Sequence, residues 1–338
     1  MVTGGPRPIF LLGCPRSGTT LLRVMLNAHP EIALPPENRF VAPLWFGRHR
    51  FAPAGSARAA RRMAQALTKR GRGSSHLGVS REALLTEFER TRPESVAAAL
   101  DQVFATYAHS HGKARWGDKR PAYYTLVDEL HTMFPEARFV HLVRDGRGCV
   151  ASLKRPPFSY TSTRAVATWL NSMHAGRRAL RRLGPERVLE LRYEDLTTAT
   201  EETLRRLCDF IGQDFAEAML HPEAVVGTYV PAHFEQHGQI AAGVNTSSMR
   251  AWERELSPVE VAAVERLGAR DFRRFGWDRT TSGRPSGLMA RAALSHLRFR
   301  VVLPVAVRLD RATDLPGPAG KIARRLWRRL QLRRLLFR

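Results

Sequence analysis

Between residues 13 and 20 the chain reads Gly13, Cys14, Pro15, Arg16, Ser17, Gly18, Thr19, Thr20. The two glycines stand at the spacing of a Walker A loop, in which backbone N–H groups cradle phosphate and a lysine follows the second glycine. Here Thr19 occupies the lysine position, so the side chain that would reach the β- and γ-phosphates of a nucleoside triphosphate is missing. Arg16, inside the loop, supplies a cation instead, and Ser17, Thr19 and Thr20 add hydroxyl donors. If this loop joins a strand to a helix, the free N–H groups and positive dipole end of that helix bind an anion by geometry. An ordinary Gly/Pro turn is the alternative reading of the same residues.

The surrounding pattern predicts those elements. Apolar runs at 9–12, 138–143 and 188–191 read as strands covered on both faces, because they are continuous and not alternating. Helical patterns follow over 19–28, 123–133, 147–153, 163–183 and 200–211, with Pro30 stopping the first. Thr198 with Glu201, and Ser257 with Glu260, have the spacing of capping boxes, the second with Pro258 at the first helical position. Strands alternating with helices predict a parallel, doubly wound α/β sheet. The pattern loosens between about 40 and 95 into Ala, Arg, Gly and Ser, which reads as a mainly helical insertion with a mobile part near 70–78. A composition break near 280–287 then separates a main domain, 1–280, from a basic helical tail, 281–338.

The net charge of +23 suits an anionic ligand, and arginine-rich usage throughout the chain would give it equally well. Over 283–338, fourteen Lys/Arg stand against two acids, which is +12 of that total. Three distant cysteines argue against a disulfide framework and for a reducing compartment. No secretory leader and no apolar run long enough to span a membrane is visible, so a cytoplasmic location is expected. The histidines and cysteines show no metal-ligand spacing, and no metal is expected.

Beyond the loop, Leu21 and Leu22, then Leu26-Asn27-Ala28-His29-Pro30 and Pro36-Glu37, extend a pattern that resembles the sulfotransferases using 3′-phosphoadenosine 5′-phosphosulfate (PAPS). The resemblance is closest to a bacterial type of the subgroup that contains the tyrosylprotein enzymes, whose loop carries arginine where Arg16 stands. Val143-Arg144-Asp145-Gly146-Arg147 with Ser152 resembles the family's 3′-phosphate segment. Trp116-Gly117-Asp118-Lys119-Arg120-Pro121 resembles the segment whose lysine approaches the sulfuryl group. Arg192-Tyr193-Glu194-Asp195-Leu196, and Val244-Asn245-Thr246-Ser247-Ser248 with Trp252, follow in the family's order, so the match spans about 9–277.

The resemblance implies a P-loop-like three-layer α/β/α fold and PAPS as cosubstrate. Arg16, Ser17, Gly18, Thr19 and Thr20 would bind the 5′-phosphosulfate. Arg144 and Ser152 would bind the 3′-phosphate, with Tyr193 at the nucleotide. The planar fork of an arginine at a strand end suits phosphate; an ion pair of Arg144 with Asp145 is the plainer alternative. Arg16 and Lys119 would stabilise the sulfuryl oxygens, and Glu37 would take the acceptor's proton. For Glu37 the plainer alternative is a pair with Arg39 or another surface arginine; for Lys119, a solvated turn; for Tyr193, a packed core ring. His233 and His237 are weaker rivals for the base, and His29 reads as a cap or core residue.

The expected acceptor is a hydroxyl of a carbohydrate, lipid or small molecule in preference to protein tyrosine. A nucleotide-dependent kinase is the competing enzyme class, and a non-catalytic basic membrane-surface protein of the same fold is the other alternative. In the tail, Ile322, Leu326, Trp327 and Leu330 share one helical face while Arg324, Arg325, Arg328 and Arg329 occupy others. That pattern suits peripheral attachment to an anionic membrane on the cytoplasmic side, or docking on the body. Nothing in it suits nucleic acid.

Overall fold

The structure, a computed structural model, describes residues 7–68, 77–78, 80–230, 238, 240–244, 246, 248–281, 286–314 and 317–329, with side chains through 326. The elements in order are β1 Ile9–Gly13, α1 Thr19–Ala28, β2 Ile32–Ala33, α2 Val41–Phe46, α3 Ala57–Leu67, α4 Arg81–Thr91, α5 Val96–Ser110, β3 Arg115–Lys119, α6 Val127–Met133, β4 Arg138–Val143, α7 Gly146–Lys154 and α8 Ser162–Leu183. They continue with β5 Val188–Arg192, α9 Tyr193–Thr198, α10 Thr200–Ile211, α11 Val226–Tyr229, α12 Trp252–Glu255, α13 Pro258–Leu267, α14 Ala269–Phe275, α15 Gly287–Ala312 and α16 Gly317–Arg329. The strands form one five-stranded sheet in the order β2-β3-β1-β4-β5. With the helices around it, this is the parallel α/β arrangement that the continuous apolar runs predict.

Contacts divide the chain into two compact units. The first comprises Met1–Leu12, Thr19–Val140 and Ala199–Val244; the second comprises Gly13–Gly18, His141–Thr198 and Asn245–Arg338. In the first, β1 is wholly buried and Phe10 packs edge-on to Trp116 and Tyr123, both at 5.9 Å between ring centroids. Parallel pairing sets Ile9 against Gly117 and Leu11 against Lys119. In the second, Trp169 on α8 is fully buried, and a Cβ on Gly146 would stand 2.7 Å from its indole. Arg147 crosses the same core. It pairs with Asp145 at 2.6 Å and Glu265 at 2.7 Å, and stacks 4.1 Å from the Trp252 ring centre. Such a fully partnered buried cation fixes geometry more than it adds stability.

Several elements depart from the sequence reading. Strands β2 and β3 escape it because Arg-Trp-Gly-Asp-Lys looks like a surface turn, yet all five residues are buried. Each polar member has a partner. Arg115 donates to the Arg7 carbonyl at 2.8 Å and the Ile211 carbonyl at 2.7 Å, and the Trp116 indole donates to Asp101 at 2.9 Å. The helix expected over 123–133 is split into a 3-10 turn, Pro121–Thr125, and α6, because the Tyr123 hydroxyl is tied to Asp118 at the end of β3.

The capping box at Ser257 and Glu260 is present. The one expected at Thr198 is not: Thr198 closes α9, donating to the Glu194 carbonyl at 2.9 Å, and Ala199 precedes α10 without a side-chain cap.

Most of 70–78, expected to be mobile, lies outside the described residues, as do Leu330 and the side chain of Trp327. Thr280 and Thr281 near the composition break are held by Glu265, which accepts from both backbone N–H groups at 2.9 and 3.0 Å. No described helix is long and apolar enough to cross a membrane.

Candidate active site

The loop from Gly13 to Gly18 is shaped by its glycines. A Cβ on Gly13 would stand 2.5 Å from the Leu142 carbonyl oxygen and 2.7 Å from Ser17 Oγ. Gly18 has φ +95°, a region L-residues rarely enter, and a Cβ there would collide with the Tyr193 ring. Arg16 itself has φ 73°, which costs a non-glycine residue about 1–2 kcal/mol and is sustained by the contacts around it. The Ser17 N–H closes the turn onto the Cys14 carbonyl at 3.0 Å. Ser17 Oγ is buried and has no hydrogen-bond partner among the described residues. A buried hydroxyl left without a partner is costly and is commonly completed by a ligand. Thr19 and Thr20 open α1, where the first N–H groups lack intrahelical acceptors.

Within the same unit, the residues expected to bind the 3′-phosphate join the loop in one network. Arg144, at the end of β4, donates to the Arg16 carbonyl at 3.0 Å and the Ser248 carbonyl at 2.7 Å, and lies 4.3 Å over the Tyr193 ring. Tyr193 and Ser248 share a hydroxyl–hydroxyl bond of 2.9 Å. Arg16 Nε donates to Ser152 Oγ at 2.8 Å. The alternative pairing of Arg144 with Asp145 is not made. Asp145 caps α7, accepting from the Arg147 N–H at 2.8 Å, and holds the Arg147 guanidinium. Arg144 is therefore a cation, 8% exposed, that pairs with no carboxylate among the described residues. A buried guanidinium satisfied only by carbonyls, a hydroxyl and a π-face is poised for an anion.

The first unit holds a second constellation at the end of β3. Lys119 Nζ lies 3.1 Å from Glu37 Oε2, with the lysine side chain 6% exposed and the glutamate 41%. Next to it Asp118 is fully buried, accepting from Asn38 at 2.8 Å, the Lys119 N–H at 2.9 Å and the Tyr123 hydroxyl. Burial pushes the Asp118 carboxyl up to about 6 against the pull of those donors. Burial also lowers Lys119, and the charge of Glu37 opposes that. For Glu37, burial would raise the carboxyl, but the charge and hydrogen bond of Lys119, then the charges of Arg120 and Arg39, hold it below the usual carboxylate range. Glu37 thus pairs with Lys119, not with Arg39, and Lys119 is neither solvated nor in a turn.

His29 is a buried structural residue. Its Nε2 bonds the Asp214 carbonyl at 2.8 Å and its Nδ1 accepts from the Glu31 N–H at 3.0 Å. His233 and His237 lie outside the described residues. Ser248 belongs to the segment whose resemblance is to the family's last cofactor-contacting loop, without a role for the individual residue. Its partnership with both Arg144 and Tyr193 could not be read from spacing, because it joins positions more than fifty residues apart. Asn38, which orders Asp118, carries no sequence signal beyond following Glu37.

Most of the chain is similar to known proteins. A family model described as "Sulfotransferase family" matches residues 8–217. The nodulation protein NoeE of Sinorhizobium fredii is 29% identical over 93% of this chain and 77% of its own length. A protein-tyrosine sulfotransferase of Drosophila melanogaster is 25% identical over 72% of this chain and 46% of its own, so the chain spans under half of that relative. Among solved structures, the sulfotransferase domain of the Synechococcus PCC 7002 olefin synthase superposes with a TM-score of 0.57. It covers 82% of this chain and 98% of that domain at 23% identity, a likeness of fold.

Proposed function

The chain belongs to the sulfotransferase family, and from that premise we propose that it moves a sulfuryl group from PAPS to a hydroxyl acceptor by in-line transfer, with Glu37 as the base. The observation that carries the donor assignment is Arg144: a buried guanidinium without a counter-carboxylate among the described residues, bonded to the backbone of a glycine loop. A donor with only a 5′-phosphate chain would leave that cation unanswered. The loop fits the 5′ end, since Gly13 and Gly18 leave no room for side chains and Ser17 Oγ awaits a partner. Arg16, Ser17, Gly18, Thr19 and Thr20 would hold the phosphosulfate, while Arg144, Ser152 and Ser248 would hold the 3′-phosphate with Tyr193 beside it.

Bound PAPS supplies an activated sulfuryl group and a stable leaving anion. The protein's task is to orient the partners, neutralise oxygen charge and remove one proton. Arg16 and Lys119 would neutralise the sulfuryl oxygens and the bridging oxygen as it departs. Glu37, ionised at neutral pH, would accept the acceptor's hydroxyl proton. Its pairing with Lys119 has a consequence for this step. Any turn of Lys119 toward the donor removes the cation that holds Glu37 low, and so makes the carboxylate a stronger base when the donor is bound.

The acceptor is proposed to be a hydroxyl on a carbohydrate, lipid or small molecule. The chain is proposed to act in the cytoplasm. Release of 3′,5′-adenosine bisphosphate from PAPS, measured with pooled carbohydrate, lipid and small-molecule alcohols, tests the reaction. Acceptor-dependent release that disappears in Glu37→Gln supports it. Acceptor-dependent release undiminished in that variant would mean another residue is the base.

A further inference from the structure

The exposed apolar surface of this protein is concentrated in one place. Among the described residues, the large apolar side chains that stand open to solvent are Val259 and then Leu294, Leu297, Val301, Val305, Ile322 and Leu326, all on α15 and α16 after the first. On α15 the spacing of Leu294, Val301 and Val305 brings them to one line along the helix, with Leu297 at its edge. Their exposures run from 49% to 59%. The opposite face, with Met289, Ala292, Leu303, Ala306 and Val307, is buried, and α15 packs along α8. The helix is apolar on two sides, and among the described residues only one of them is covered. From Leu294 to Val305 the stripe runs roughly 17 Å along the helix.

Charge identifies what suits the open side. Arg291 and Arg298 flank the stripe on one edge and Arg308 on the other, all exposed. Beside α15 a cleft of about 530 Å³ is lined by His174, Arg177, Arg181, Arg270, His296 and Arg300, with Asp271 and two leucines. Arg177 is taken by Asp271. Arg181, Arg270 and Arg300 pair with no carboxylate among the described residues. The two imidazoles lie edge to face at 5.7 Å. Burial first, then for His174 the charge of His296 and for both the neighbouring arginines, hold the two to about 4, so at pH 7 they are neutral and the cleft's charge is that of its guanidiniums. An apolar stripe rimmed by arginines, with a basic cleft at its edge, matches an anionic bilayer: acyl chains under the stripe, phosphate at the rim and in the cleft.

We propose that the outer face of α15 docks the protein on an anionic membrane surface, with the cleft between α8, α14 and α15 receiving a lipid phosphate. This moves the membrane contact expected from the sequence off the extreme tail. On α16, Arg324 is engaged with the Thr313 carbonyl and Ala323 is buried, so that helix contributes chiefly Ile322 and Leu326. The contact is independent of the cosubstrate reading, since none of these residues belongs to the loop network.

The test is co-sedimentation of the full chain with phosphatidylcholine vesicles, with and without phosphatidylglycerol. Thermal melting serves as a check that variants fold, and the substituted side chains are exposed. Wild type is expected to sediment only with the anionic vesicles. Leu294→Glu with Val301→Glu is expected to weaken that binding tenfold or more per site, on the order of what burying each side chain contributes. Neutralising Arg181, Arg270 and Arg300 to Gln is expected to weaken it roughly fivefold for each. Sedimentation of wild type with neither vesicle, or equal sedimentation of all three proteins, overturns the proposal. So does a wild-type dimer in solution that Leu294→Glu converts to a monomer without altering vesicle binding, because the stripe would then face a second copy.

Discussion

The two constellations, one in each compact unit, are built on opposite electrostatic plans. Around the loop, Arg144 is a buried cation that pairs with no carboxylate among the described residues, satisfied by the Arg16 and Ser248 carbonyls and the Tyr193 ring. At the end of β3, Lys119 is a buried cation with a carboxylate in contact, and the carboxylate reaches solvent. The first arrangement lacks an anion and suits a binding site. The second already holds both charges, and its chemistry lies in separating them. Affinity and turnover should accordingly divide between the two regions, and substitutions in each should move one quantity and leave the other.

The largest effect is expected at the paired site. Glu37→Gln removes the base without changing shape, and turnover should fall roughly 100- to 10,000-fold with affinity for 3′,5′-adenosine bisphosphate unchanged. A matching loss of affinity would erase the division. Arg144→Ala should do the reverse. Calorimetry should show the bisphosphate binding about 10- to 150-fold more weakly, the loss of charge-assisted bonds of about 1.5–3 kcal/mol. Rate at saturating PAPS should change little.

The third effect is in pH. Lys119 holds the ionised form of Glu37 in the free enzyme, so the acid limb of the kcat/KM profile should lie below the ordinary carboxylate value of 4.5. In Lys119→Met the cation is gone and burial remains, so the limb should move to higher pH, even as the rate falls. An unmoved limb would mean that the lysine does not set the basicity of Glu37. The smallest effect belongs to neither region. Ser257→Ala breaks a capping box on α13 and should lower stability by about 1 kcal/mol in denaturant melts, with affinity and turnover intact.

The same contrast governs what the sequence discloses. The Arg144 side of the site is legible because β4 is a continuous apolar run that ends on a charged residue. Its bounds, 138–143, and those of α1, 19–28, agree with the pattern. The Lys119 side is hidden because β3 is written in polar residues whose burial depends on partners far along the chain, such as Ile211 for Arg115. Periodicity sees side-chain polarity and not the hydrogen bond that cancels it. The motif resemblance nonetheless picks out Lys119 and Glu37. Only the structure shows them paired, and only the structure gives Asp145 to Arg147, setting aside the alternative Arg144–Asp145 pair. The Thr198 box misleads for a local reason: a capping spacing is also met inside a helix, where the threonine donates back to a carbonyl four residues earlier.

The central claim is that the loop network is built for a nucleotide carrying a 3′-phosphate. Titration calorimetry of the wild-type protein with 3′,5′-adenosine bisphosphate and with ADP tests it most directly, since the two ligands share adenine, ribose and 5′-phosphate and differ in where the other phosphate sits. The account predicts a clear preference for the bisphosphate that disappears in Arg144→Ala. Equal affinity for the two ligands, or a preference that survives the loss of Arg144, would contradict it.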